Sequence, residues 1–229
     1  TALGYSAGEG ITTGVQNTFV GGLAGDATDD GTNNVAVGFE ALSANCGSGN
    51  TAIGTRAGKI TTADNNTFVG NNAGIAITSG AGNTFIGAEA GDGTDDGTGN
   101  VAVGNQALSG NCGSDNTAVG QYSGIAATGS NNTLMGQTAG FALTTGSFNL
   151  FLGKDSGRTG SPGGNMTTAS NRIVLGDDGI TAAHIQVGWS EASDARDKTD
   201  FTALDLGLDF VKALAPVTYK WDKRSKYGD

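Results

Sequence analysis

The sequence predicts an all-β fold, a repeat-built β-helix or β-roll that assembles into a trimeric fibre. Three observations predict it: a motif that returns at near-constant intervals, a high glycine content, and two adjacent apolar columns. The 229 residues include 41 Gly but only 9 Phe and 2 Trp, a balance too rich in glycine and too poor in aromatics for one large core. Collagen is excluded because glycine does not occupy every third position and proline is scarce.

The repeated motif begins at an asparagine, ends at a glycine four residues later, and returns every 16 or 17 residues. Its asparagines are Asn17, Asn34, Asn50, Asn66, Asn83, Asn100, Asn116, Asn132 and Asn149. A longer period of 66 residues relates segment 17–54 to segment 83–120, which indicates that a block of four units was duplicated. Such self-similarity predicts the stacked coils of a β-solenoid, which we assign to residues 1–153.

Each unit carries two neighbouring apolar residues immediately before its glycine. The second of them is aliphatic or Met: Val20, Val37, Ile53, Val69, Ile86, Val103, Val119, Met135 and Leu152. The first is Phe19, Ala36, Ala52, Phe68, Phe85, Ala102, Ala118, Leu134 and Phe151. Because successive side chains of a strand face opposite sides, we expect both columns to be buried. One chain needs only its inward face apolar, so the other face predicts packing against further copies, and a fibre axis favours three.

The polar half of the unit includes carboxylates in glycine-flanked turns. They are Asp26, Asp29 and Asp30, with their counterparts Asp92, Asp95 and Asp96 one block later. Hard cations such as calcium favour carboxylates in turns, but this spacing matches no established calcium loop. Solvent-exposed Asx turns are the interpretation that we favour. We therefore expect neither a bound metal nor a cofactor.

The two cysteines, Cys46 and Cys112, occupy the same place in the duplicated block. Coils that are about 4.7 Å apart put them roughly 19 Å from each other, beyond the reach of a disulfide. Buried or idle thiols are the resulting prediction.

Charge and hydropathy exclude two classes of partner. Lys and Arg number 12 against 22 Asp and Glu, and the net charge of −10 disfavours nucleic acid. The sequence has no continuous apolar run of 18 residues, so we expect no insertion into a membrane.

The repeat changes after residue 153. The next related motif starts at Asn171, 22 residues after Asn149, and the intervening loop contains Gly160, Pro162 and Gly163. We assign 154–192 to the end of the solenoid and a connecting region. From Ser193 onward charged residues mix with helix formers, which predicts a different module over 193–229.

This last module begins Ser193-Asp-Ala-Arg-Asp-Lys-Thr-Asp-Phe and continues through the apolar stretch 206–221. It resembles the opening of the intramolecular chaperone domain of phage tail fibres and tailspikes, the peptidase S74 family, a small α+β domain. The Asn-Thr-Ala-Val-Gly units are also similar to the head repeats of trimeric adhesins of the autotransporter type. The resemblance implies a segment of a homotrimeric viral tail fibre, located in the virion, that attaches to a glycan or protein on the host surface.

In the S74 family a serine attacks the peptide bond before it, helped by a lysine. Carried over, Ser193 is the nucleophile, Lys198 the base, and the scissile bond joins Ala192 to Ser193, with Asp194 and Arg196 in support. A serine hydroxyl needs such a base, and a lysine serves only where burial lowers its pKa. No external substrate is implied. A solvated polar loop is the alternative interpretation of this segment, and the self-cleavage motif is the one that we favour.

Two rival functions remain at the level of the sequence. A bacterial trimeric surface adhesin could be built on the same solenoid and would be located at the cell surface. A glycan-degrading tailspike would need paired carboxylates in a groove, for which Asp29 and Asp95 are the candidates.

Overall fold

The computed structural model describes residues 1–184 and shows the predicted all-β solenoid. Eleven short strands form one sheet in which sequence order is spatial order. The strands are β1 Ala2–Leu3, β2 Thr18–Val20, β3 Val35–Val37, β4 Thr51–Ile53, β5 Thr67–Val69, β6 Thr84–Ile86, β7 Val101–Val103, β8 Thr117–Val119, β9 Thr133–Met135, β10 Leu150–Leu152 and β11 Ile173–Leu175. The described residues contain no helix. Thr1–Ala183 forms one compact unit.

Every neighbouring pair of strands is parallel, and motif residues lie opposite motif residues. Between β5 and β6, for example, Phe68 is opposite Phe85. One interval of the sequence repeat is therefore one coil, and each coil covers the exposed strand edge of the one before it.

The register between β10 and β11 corrects the predicted last motif. Leu150 pairs with Ile173, a separation of 173 − 150 = 23 residues, so Arg172 and not Asn171 takes the place equivalent to Asn149. The Arg172 amide accordingly donates to Asn149 Oδ1 at 3.0 Å, as the motif asparagines do in earlier coils. Asn171 instead takes the left-handed conformation, with a φ of 58°, that Asn131 and Asn33 have before their own motifs.

The two apolar columns have different surroundings. The middle residue of each strand points into the coil, and this inner column is buried: Phe19, Ala36, Ala52, Phe68, Phe85, Ala102, Ala118, Leu134, Phe151 and Val174. The following residue of each strand faces outward. Ile53, Ile86 and Met135 in this outer column keep 43%, 40% and 43% of their surface exposed. Within one chain only the inner column is buried, because the narrow interior accepts only one side of each strand. Burial of the outer column against further copies stays a prediction.

The interior is filled by residues of complementary size. Gly74 lies against the Phe68 ring so closely that a β-carbon there would come within 2.3 Å of it. Where the inner column has Ala36 or Ala102, the place equivalent to this glycine holds a buried leucine, Leu42 or Leu108. These leucines supply side-chain volume in the coils of Ala36 and Ala102. The coils of Ala52 and Ala118 keep a glycine at this place, Gly58 and Gly124.

A ladder of buried asparagines links the coils. Asn83 Nδ2 donates to Gly97 O at 2.8 Å, and its Oδ1 accepts the backbone N–H of Asn100 at 2.9 Å. The backbone N–H of Asn83 donates in turn to Asn66 Oδ1 at 2.8 Å. The motif asparagine is thus selected for an amide that satisfies buried backbone groups at the start of each strand.

The motif glycine forms a tight corner after each strand. Gly87 has a φ of +136°, and a β-carbon at this position would lie 2.5 Å from Gly104 O of the next coil. Only glycine accepts both that conformation and that close approach between coils.

Candidate functional site

The predicted cleavage site lies outside the described residues. Ser193, Lys198, Asp194, Arg196 and the bond between Ala192 and Ser193 all fall in the segment that follows residue 184. The Ser-Lys dyad therefore stays a prediction.

The exposed turn aspartates act as links between coils. Asp29 Oδ1 accepts a hydrogen bond from the Thr12 hydroxyl, and Asp95 Oδ1 accepts one from the Thr78 hydroxyl. Over residues 1–184, no three His, Cys, Asp or Glu side chains come together in a way that could hold a metal ion. Asp29 and Asp95 belong to separate turns and show no shared groove, so this geometry gives no support to a glycosidase role for them.

Asp26 and Asp92, the first aspartate of each turn, have a different environment. Each is half-buried, and each has an Oδ1 that is buried without a hydrogen-bond partner. Burial raises the pKa of both carboxyls, and the neighbouring Glu40 raises that of Asp26 while Glu89 raises that of Asp92. A half-buried aspartate with an unpaired oxygen and a raised pKa thus occurs twice, one 66-residue block apart.

Both cysteines are free and buried, as the spacing predicts. Cys46 Sγ lies 3.2 Å from the Thr28 hydroxyl, and Cys112 Sγ lies 3.1 Å from that of Thr94. Burial raises the pKa of both thiols, which keeps them protonated and unreactive.

The outer column is a candidate interface between chains. It places an aliphatic residue or Met at the same outward position of successive coils, from Val20 to Leu152 and on to Leu175. Its neighbours on the same face of the strands are the first strand residues, such as Thr84 and Val101, which are half-buried. Soluble monomers rarely expose a continuous apolar stripe, which makes this surface a candidate for contact with a partner.

A cleft of about 460 Å³ lies at the end of the solenoid, where the last interval lengthens. Its walls include Phe141, Asp155, Arg158, Asn165, Asp177 and Asp178. The Arg158 guanidinium carbon lies 4.8 Å from the centroid of the Phe141 ring, and Arg158 also pairs with Asp155. A hydrogen bond from Thr138 holds the pKa of Asp155 below its usual range, and the Arg158 pair adds to this effect.

Sequence reasoning missed this cleft. Phe141 occupies the position of Ile75 and Ile125 in other coils, so it has the appearance of an ordinary repeat residue. Asp177 and Asp178 reach the same cleft only through the register of β11, which the sequence spacing misplaced by one residue. The one sequence feature that pointed to an irregular region here was the glycine- and proline-containing loop between β10 and β11.

None of the residues that the structure describes belongs to a helix with the length and apolar character needed to cross a membrane.

The comparisons with known proteins give one match. Residues 193–229 match the family model Peptidase_S74, described as the chaperone of endosialidase, over 229 − 193 + 1 = 37 residues of the chain. No curated protein and no solved structure matches the chain. A segment similar to an intramolecular chaperone thus follows a parallel β-solenoid in the same chain.

Proposed function

We propose that the chain is a shaft or distal segment of a trimeric phage tail fibre that serves host attachment. The observation that carries the proposal is the S74 chaperone match at residues 193–229, after a β-solenoid. A repetitive β-structure is the kind of fold that needs a separate device to align several chains. The virion tail fibre is the proposed location, and a receptor on the host surface is the proposed partner.

The outer column supports a homotrimer. Identical chains usually assemble with closed symmetry, and three copies around one axis let each outer column contact the other two. Ile53, Ile86 and Met135 are 40–43% exposed on the single chain and gain most from such contact. Complete burial of such a side chain contributes about 1.5–3 kcal/mol, and assembly adds only the fraction that is still exposed on the single chain.

The chaperone is proposed to release itself after assembly. Ser193 Oγ attacks the carbonyl carbon of Ala192 while the Lys198 amine takes the hydroxyl proton. The C–N bond breaks, the proton passes to the departing amine of Ser193, and water hydrolyses the resulting ester. Asp194 and Arg196 support this arrangement.

The test compares the full-length gene product with its Ser193→Ala variant and with Ser190→Ala as a matched control. Denaturing gels of unheated samples and intact-mass analysis measure assembly and cleavage separately. The expected result is an SDS-resistant trimer cut before Ser193 in the wild type and in the control, with an uncut trimer in Ser193→Ala. A trimer that is whole in all three proteins removes the self-cleavage step, and monomers throughout contradict the fibre.

The alternative is a bacterial trimeric surface adhesin, which the likeness of the repeats to adhesin head repeats favours. The solenoid and its outer column fit both functions. Immunogold labelling distinguishes them: label on phage particles supports the tail fibre, and label on the surface of uninfected cells supports the adhesin.

A further inference from the structure

We propose that the cleft at the end of the solenoid binds an uncharged carbohydrate and forms a receptor-contact subsite of the fibre. This inference rests on the proposed function in host attachment. It names the place on the chain where the receptor binds and the chemical class of that receptor, neither of which follows from the repeats.

The shape of the cleft suits a small ligand. Its volume of about 460 Å³ falls within the range of roughly 300–1,000 Å³ that is typical of ligand sites. It forms where the interval between strands grows to 173 − 150 = 23 residues, so loop residues there replace the regular wall of the coil. None of the six wall residues named above belongs to the outer column, so trimer contacts through that column do not use them.

One wall is flat and combines an aromatic ring with a guanidinium. Phe141 is 37% exposed, and the Arg158 guanidinium lies over its ring, 4.8 Å from the centroid. The pairing with Asp155 holds Arg158 in place, and a guanidinium with five N–H donors keeps others for a ligand oxygen. The C–H face of a sugar ring can pack against the exposed part of this stacked pair, while the sugar hydroxyl oxygens accept from the guanidinium.

Other groups of the lining are suited to hydroxyls. Asp177 and Asp178 offer carboxylate oxygens that accept hydrogen bonds, and the Asn165 amide both donates and accepts. Sugar hydroxyls also donate and accept. Two hydroxyls on neighbouring ring carbons can therefore hydrogen-bond to a carboxylate and to the amide at the same time. Ligands without hydrogen-bond donors would leave the carboxylates without partners.

Charge selects against acidic sugars. The walls carry three carboxylates and one guanidinium, −3 + 1 = −2 in all. Lys154, whose amine lies 3.5 Å from Asp155, reduces this excess without reversing it. An anionic glycan would therefore meet net repulsion.

Asp155 is not suited to the acid step of glycoside hydrolysis. Glycoside hydrolysis requires one carboxyl that stays protonated to act as general acid. Asp155 is shifted in the opposite direction, toward the ionised form, by Thr138 and Arg158.

The experiment uses the complete chain on an array of neutral, acidic and basic oligosaccharides, followed by calorimetric titration with the neutral oligosaccharide that gives the strongest signal. Asp178→Asn and Arg158→Ala change the cleft, and Asp30→Asn, in an exposed turn, is the matched control. We expect saturable binding of neutral oligosaccharides that Asp178→Asn and Arg158→Ala each weaken at least tenfold, with affinity unchanged in Asp30→Asn.

Several results would overturn the inference: no neutral oligosaccharide bound, binding insensitive to both cleft variants, preference for acidic glycans, or a titration with calcium chloride alone that saturates at this cleft. Adsorption of the fibre to host cells separates this failure from failure of the proposed function. Adsorption that survives Asp178→Asn leaves the fibre intact and removes only the subsite, whereas a trimer that adsorbs to no cell removes the attachment function itself.

Discussion

The amide of Asn83 shows why one residue type recurs at the start of every full strand but the last. Its Oδ1 and Nδ2 bind groups in two places at once, the Asn100 N–H and the Gly97 carbonyl. Aspartate lacks the donor, and leucine lacks both donor and acceptor. The side chain is fully buried, so water cannot replace either hydrogen bond.

Replacing this amide should open the solenoid locally. In Asn83→Ala the Asn100 N–H and the Gly97 carbonyl lose their partners, and each unsatisfied buried group costs about 1–3 kcal/mol. Hydrogen exchange of the Asn100 amide should accelerate at least tenfold, while coils several turns away stay protected. Asn71→Ala, at an exposed position, is the control and should leave the exchange pattern unchanged. If the Asn100 amide exchanged no faster in Asn83→Ala than in Asn71→Ala, the result would contradict the role of the ladder.

Asp92 is a residue at which the fold opposes ionisation. Burial raises the pKa of its folded carboxyl, so the ionised form destabilises the fold at neutral pH, and this penalty disappears as pH falls through the folded-state pKa. Asp92→Asn, uncharged and of the same shape, should therefore raise the free energy of unfolding near pH 7. The gain should vanish under acidic conditions where the wild-type carboxyl is protonated.

Chemical denaturation at both pH values measures this difference, with Asp96→Asn as the control from the same turn. A gain that persists unchanged in acid would show that the side-chain amide, and not the loss of charge, stabilises the variant.

At the scale of the strand, the short sequence Thr84-Phe85-Ile86 serves two surfaces. Phe85 is fully buried in the coil, while Ile86 is 40% exposed on the outer column. The sequence predicted strands, their stacking into successive coils and their spacing, because the motif and its interval are explicit. It could not show which apolar residue points inward, because both positions are apolar in each of the motifs from Asn17 to Asn149.

The long loop shows a second limit of the sequence. Phe141, Arg158 and Asp178 approach one another through the register of β10 and β11 and through an irregular loop. No periodic pattern records such contacts, so the cleft became visible only with the structure. The Asn171 motif was misplaced for a related reason, since the loop carries one residue more than the apparent spacing.

A charge on the outer column should separate the chains without unfolding them. In Ile86→Lys, three ammonium groups would meet near the proposed axis, and the desolvation of each disfavours assembly. We expect a trimer that dissociates at least tenfold more readily, with unchanged β-structure by circular dichroism. Light scattering after size-exclusion chromatography measures the assembly. Asn71→Lys adds the same charge outside the column and should remain trimeric, and an Ile86→Lys trimer as stable as that control would exclude this interface.

At the scale of the whole molecule, the inner column determines how the coils of one chain fit together, whereas the outer column does little to fix the register between chains. Along the inner column Phe68 and Phe85 alternate with alanine pairs such as Ala102 and Ala118, and Leu42 or Leu108 compensates for small residues. Each coil therefore fits its own neighbours within the chain. The outer column is nearly uniform, mostly valine and isoleucine, so three chains displaced by one coil would still make similar contacts.

This uniformity predicts a specific need for residues 193–229, the segment that matches the chaperone family. Without them, correct and displaced trimers should differ little in energy, and the chains should be trapped in mixed registers. We expect the uncut Ser193→Ala chain to refold into one trimeric species, and a variant lacking residues 193 onward to give several species of unequal length by electron microscopy. Adding the chaperone segment as a separate chain is the control, and it should not restore register because it no longer holds the three ends together. A single, correctly aligned trimer from the shortened chain would show that the solenoid sets its own register.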